Sequence, residues 1–183
     1  MRLVRLFTAV LAGIFAAKGA AAAGDLENTL YLDLKYGRVV IEMRPDLAPK
    51  HVARIKELVR QKFYDGSKFH RVIDGFMAQT GDPTGTGMGG SGKNIKAEFN
   101  NEPHVRGAVS MARASDPDSA DSQFFIVLAD SKFLDGQYTV WGKVTSGMEF
   151  VDQIKKGDAN NNGAVSDPDT IITMRVAADV DKK

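Results

Sequence analysis

The 183-residue sequence predicts a mainly β fold, an antiparallel sheet closed or folded on itself and accompanied by two α-helices. Three observations lead there. Segments rich in β-branched and aromatic residues, which suit a pleated surface, recur along the chain. Only two stretches carry apolar residues at helical spacing. Neither falls into the strand–helix–strand rhythm of a doubly wound parallel sheet.

Taken in order, Leu30–Leu34 alternates apolar and polar residues, Lys35–Arg38 interrupts, and Val39–Met43 follows, a strand–turn–strand opening. Pro45 and Pro49 punctuate the chain. Val52, Ile55, Leu58 and Val59 then predict an amphipathic helix over 49–61, with Asp46 as its cap. Phe69–Asp82 reads as a second hairpin turning at Asp74-Gly75. A strict two-residue turn there sets Arg71 opposite Ala78. A three-residue loop with a bulge sets it opposite Gln79, with Met77 on the same face. Strands follow at 107–112, 123–128, 139–144 and 170–177, and Met148, Val151 and Ile154 mark a short second helix. No internal repeat or linker divides the chain.

The first 23 residues have the order of a secretory signal. Arg2 and Arg5 precede a mostly apolar run of 12 residues, Leu6–Ala17, and small residues lead to an exit after Ala23. The run is too short to span a bilayer, which takes about 20 residues. The expected mature chain is a single domain, 24–183. Arg2, Arg5 and Lys18 leave with the signal and no acid does, so the formal charge of +1 drops by three, to −2. A near-neutral body gives no reason to expect nucleic acid or an anionic membrane as partner. The absence of cysteine excludes disulfides, thiol catalysis and cysteine-ligated zinc.

Two loops imitate ligand sites. Gly87–Asn94 nearly spells a phosphate-cradling loop. Its last position is Asn94, without the hydroxyl that would hold magnesium, and no helical stripe follows. A glycine-rich surface loop is the better reading. Asp158–Asp169 sets oxygen-bearing side chains at calcium-loop positions, with Gly163 at the sixth. It ends on the shorter Asp169 after Pro168 and exits into a strand, so a solvated turn is the preferred reading. His51, His70 and His104 have neither the spacing of a zinc protease nor a Gly-x-Ser-x-Gly elbow to serve.

Four segments remain: FHRVIDGFMAQTGD at 69–82, SMARA at 110–114, SQFFI at 122–126 and FLDGQYTVWGKV at 133–144. In order and spacing they resemble the cyclophilin-type peptidyl-prolyl cis–trans isomerases, exported bacterial type, and the resemblance runs from about Asn28 to Ala178. It implies a closed eight-stranded antiparallel barrel capped by two α-helices. It also implies a catalytic role for Arg71 and a proline pocket of Phe76, Met77, Phe125 and Leu134. Gln79 and Gln123 match positions that orient the arginine and the peptide backbone, and Ala112 matches a contact to the residue before proline.

The residue types suit that task. Rotation about an X–Pro bond faces a barrier near ~20 kcal/mol. A turnover of about 10³ per second requires about 6–7 kcal/mol of differential stabilisation and no nucleophile. A fixed guanidinium can favour the twisted amide, while a dry apolar wall holds the ring. Three positions depart from the family's pattern. Phe133 replaces a common tryptophan, keeping the wall and losing an N–H donor, so cyclosporin should bind weakly. Tyr138 replaces a common histidine. Arg113 stands at a common asparagine position and adds a charge. The reading is a periplasmic, monomeric folding isomerase for proline-containing peptides and unfolded exported proteins, needing no cofactor or metal. The alternative is a non-catalytic proline-peptide holdase using the same groove.

Overall fold

In the first hairpin every second side chain is apolar, and those are the ones buried. Residues 25–181 are described by a computed structural model, and the proposed signal at 1–23 lies outside them. Strand β1 (Thr29–Leu34) buries Leu30, Leu32 and Leu34, and β2 (Gly37–Met43) buries Val39, Ile41 and Met43. Further strands are β3 (Arg71–Ile73), β4 (Met77–Thr80), β5 (Ala108–Met111), β6 (Phe124–Val127), β7 (Val140–Ser146) and β8 (Thr173–Val176). They form one sheet in the order β3-β4-β6-β5-β7-β2-β1-β8, and every pair is antiparallel. Register shifts at Val40/Ile41 and Val109/Ser110 bend the strands, and the sheet curls into a half-barrel. Backbone hydrogen bonds link the segments before its two edge strands. Phe69 N donates to Asp169 O and Ile171 N to Ser67 O, both at 2.9 Å.

Helix α1 (Pro49–Arg60) lays Val52, Ile55, Leu58 and Val59 on the core, as its spacing predicts. Its cap is not Asp46, which is held by Arg44 at 2.6 and 2.9 Å. The N-cap position is Ala48, which has no side-chain oxygen, and Glu98, 47 residues beyond His51, takes over. The Glu98 carboxylate accepts from Lys50 N and His51 N at the otherwise unpaired start of the helix. The expected second helix shrinks to a single turn, α2 (Met148–Val151), after which Ile154 is buried in a turn. Strand β8 begins later than predicted and runs into a further helical turn, α3 (Ala177–Val180).

Two apolar clusters lie on opposite faces of the sheet. The inner one contains Val72, Ala78, Val109, Phe124 and Ile126 with fully buried Trp141. The outer one consists of Met77, Ala108, Phe125, Val127 and Leu134, with Ile73, Phe76, Ala112 and Tyr138 packed against it. Strand alternation produces the split, because neighbours along a strand point to opposite faces.

Candidate active site

The register of the second hairpin builds the site. Ile73 pairs with Met77 and Arg71 with Gln79, so the connection is the three-residue loop Asp74-Gly75-Phe76. Gly75 takes the φ of +67° that this loop requires. Gln79 in turn pairs with Phe125, and Phe125 with Ser110. Arg71, Gln79, Phe125 and Ser110 therefore form one row across β3, β4, β6 and β5, on the face of the outer cluster.

Over that row lies a cleft of about 310 Å³, lined by Arg71, Phe76, Met77, Gln79, Ala112, Arg113, Phe125, Leu134, Tyr138 and Asn162. Two of the predicted site residues fall outside its lining. Phe133 stands at the lip, 65% exposed, with its ring 5.3 Å from that of Phe76. Gln123 lines the adjoining cleft instead. A recess elsewhere, about 500 Å³ and bordered by Asp25, Glu42, Arg44 and Asp46, shares no residue with the outer apolar cluster.

The Arg71 guanidinium is held by three bonds. Nη1 donates to Gln79 Oε1 at 3.2 Å, Nε to the Asn162 carbonyl at 3.0 Å and Nη2 to Asn162 Oδ1 at 2.9 Å. No carboxylate among the described residues pairs with it. Burial holds its pKa below the usual guanidinium value, yet the group stays charged at neutral pH. The cation is thus fixed by neutral oxygens and its field is not cancelled.

The support continues behind Gln79. Its amide donates to Gln123 Oε1 at 2.9 Å, and Gln123 Nε2 donates to the carbonyls of Gly87 and Gly89. The glycine-rich loop is fixed in turn by Asp82, which accepts from Thr84 N, Thr86 N, Gly87 N and Gly89 N. Burial would raise that carboxyl, but the bonds from Thr84, Gly89 and Gly87 outweigh it and hold the group well below the usual carboxylate range. The loop that imitates a phosphate cradle is therefore a strut under the site.

Asn162 was counted from the sequence as an oxygen of the calcium-like loop and not as a residue of this site. It lies 91 positions from Arg71, within the calcium-like loop. Asn162 adopts a left-handed φ of +50°, and Gly163 follows at +77°. A Cβ at Gly163 would collide with the Ile73 side chain, so only glycine lets the loop close on β3, where Val72 N donates to Gly163 O at 2.8 Å. Two of the loop's three carboxylates face protein donors: Asp158 accepts from Asn160 N, and Asp169 takes Lys35, Tyr36 and Lys155 N. Among the described residues no group of three or more His, Cys, Asp or Glu side chains could hold a metal. An Asn-Gly pair in the loop is the one local signal of the left-handed turn.

Sequence reading also missed a chain running inward from the surface, Asp135–His104–Ser110, whose last two members are buried. Asp135 Oδ1 lies 3.0 Å from His104 Nδ1, and His104 Nε2 lies 3.0 Å from Ser110 Oγ. Its members are those of a hydrolytic triad, but Ser110 is wholly buried and its hydroxyl also faces Thr139 O. No substrate reaches it. His104 stacks under Phe125 with ring centres 6.2 Å apart and meets Tyr138 edge-on at 6.4 Å. The chain supports the floor of the cleft.

The arrangement offers an apolar seat for a ring and a fixed cation at its edge. Comparison with known proteins agrees with that chemistry. Residues 29–176 match the family model described as cyclophilin type peptidyl-prolyl cis-trans isomerase. A Brucella suis protein named "Probable peptidyl-prolyl cis-trans isomerase" is 56% identical over 171 residues, covering 87% of each chain. Peptidyl-prolyl cis-trans isomerase B of Bacillus subtilis is 48% identical over 134 residues, 72% of this chain and 93% of its own. Among solved structures, a cyclophilin from Hirschia baltica superposes with a TM-score of 0.76 at 30% identity, covering 85% of this chain and 76% of that one. A Cryptosporidium parvum cyclophilin type isomerase, solved in the presence of the dipeptide Ala-Pro, gives 0.74 at 29% identity, covering 81% and 98%.

Proposed function

The chain belongs to the cyclophilin-type peptidyl-prolyl cis-trans isomerases, and from that premise we propose that Arg71 is its catalytic residue and the outer-face cleft its proline seat. The activity is that of the family, catalysed rotation about X–Pro bonds. A non-catalytic holdase is not favoured, since the relatives are named as isomerases.

One observation carries the assignment of residues: a charged guanidinium without a carboxylate partner stands at the edge of an apolar cluster on the outside of the sheet. Phe76, Met77, Phe125, Leu134 and Tyr138 hold the proline ring, and Phe133 extends the wall at the lip. Rotation then carries the residue before proline over Ala112. As the amide twists, its nitrogen becomes pyramidal and gains a lone pair, which the guanidinium stabilises more than it does the planar amide. Gln79, itself held by Gln123, keeps the fork from swinging away. No bond is made or broken, so the chemistry calls for no cofactor.

The wider reading goes with this. Residues 1–23 serve as an export signal, and the mature chain 24–183 works as a monomer in the periplasm on unfolded exported proteins. The hydrogen bonds from 67–72 to 163–171 support a barrel closed across the two edge strands. Cyclosporin binds weakly for want of an indole donor at Phe133, and nanomolar inhibition would contradict that. Recovery of exported protein with an N-terminus other than Gly24 would correct the cleavage point.

The deciding experiment is a prolyl-isomerisation assay of the mature chain beside Arg71→Ala. Turnover is expected to fall by about 10²–10³-fold, a loss of roughly 3–4 kcal/mol in the transition state, with circular dichroism unchanged. A fully active variant would remove Arg71 from the mechanism.

A further inference from the structure

Among the described residues, Arg38, Arg44, Arg54, Arg60, Arg106 and Arg175 each have a carboxylate within ion-pair distance. Two arginines do not, and both line the same cleft: Arg71 and Arg113. Arg71 is accounted for by the rotating amide. Arg113 is not used by that step.

Arg113 is nonetheless fixed in place. Nε and Nη2 donate to the Gln137 carbonyl at 3.1 and 3.0 Å, and Nη1 donates to Ala114 O and Ser115 O at 2.9 and 3.3 Å. Its guanidinium carbon sits 4.7 Å from the centre of the Tyr138 ring and 5.9 Å from that of Phe99. All these partners are neutral, so they position the charge without cancelling it. A guanidinium has five N–H donors, and one on Nη2 remains for a ligand.

Its location gives that charge a target. Gln79, Ala112 and Arg113 are shared between the proline cleft and an adjoining cleft of about 420 Å³ that reaches Gly87, Met88 and Gln123. A peptide with proline in the first cleft passes Arg113 on its way into the second. We propose that Arg113 is a specificity-determining residue that selects proline segments carrying a glutamate or aspartate beside the proline, at the residue before it or the one preceding that. The inference rests on the proline seat assigned above. Deeper in the second cleft Asp121, held by Ser91 and Gly92 N, opposes an acid. The preference is therefore confined to the part of the peptide that crosses Arg113.

The test compares kcat/KM for short X–Pro peptides with Glu, Gln or Lys at each of those two positions, using the mature chain, Arg113→Gln and Arg113→Lys. For the wild type we expect Glu to exceed Gln by about fivefold at low salt at one of the positions, with Lys lowest. The ratio should fall towards one at 0.5 M salt, where the Debye length is about 4 Å against about 30 Å in 0.01 M buffer. Arg113→Gln should lose the preference while still turning over the Gln peptide, and Arg113→Lys should keep part of it. Equal rates for Glu and Gln peptides in the wild type, with turnover intact, would overturn this inference and leave the isomerase reading standing. A preference that survives in Arg113→Gln would assign it to another group and overturn it as well. Absence of turnover on every peptide would overturn both.

Discussion

Arg71 shows how a cation can be fixed without being neutralised. An aspartate in place of Asn162 would make a stronger bond, and its negative charge would sit against the group proposed to act on the amide. The side-chain amide and the carbonyl of Asn162 give direction alone. Two predictions separate direction from charge. Asn162→Ala should lower kcat about tenfold with KM little changed, because the fork loses the side-chain anchor on Nη2 and keeps only the backbone carbonyl and Gln79. Asn162→Asp keeps the shape and adds the charge, and turnover is expected to fall by a similar factor at unchanged thermal stability. Full activity in the Asp variant would mean that the field of Arg71 is unimportant.

At the scale of elements, supports come from far along the chain. Helix α1 has proline at its first turn and alanine at its cap position, and its free N–H groups are met by Glu98. The same carboxylate accepts from His51 Nδ1 at 2.7 Å. Glu98→Ala should cost about 1–2 kcal/mol, the range for a lost helix cap. For a domain of this size that is a fall in Tm of about 2–8 °C, read by calorimetry, with turnover at low temperature preserved. A variant as stable as the wild type would show that solvent caps the helix equally well. The glycine-rich loop follows the same logic, since Asp82 organises it and Gln123 relays its position to Gln79 and Arg71.

Over the whole molecule, the sheet buries apolar residues on both faces, and the three histidines are buried with them. Burial lowers the pKa of each below the ordinary 6.5, against the pull of Glu98 on His51, Asp82 on His70 and Asp135 on His104. The folded chain then binds fewer protons than the unfolded chain once the pH drops below 6.5. Stability is complete above that value and declines as the pH falls through it, before the carboxylates titrate. Thermal unfolding at pH 7.5, 6.5 and 5.5 should show a falling Tm, and His104→Gln should flatten part of the slope. A Tm that stays level across this range would contradict neutral burial of the imidazoles.

Local pattern was enough to specify the strands and the first helix, because alternation and helical spacing are properties of neighbours in sequence. Arg71, Gln79 and the residues lining the cleft came instead from the family resemblance of four motifs, each a contiguous run. What the tertiary structure decided are the partnerships across distance: Glu98 with α1, Asn162 with Arg71, and Asp135 with His104 and Ser110. A loop of Asn, Gly and Asp reads alike whether it binds calcium, meets solvent or braces an arginine, because its own residues do not say what stands opposite. That is fixed only when the chain curls and brings residues 91 positions apart within hydrogen-bond reach.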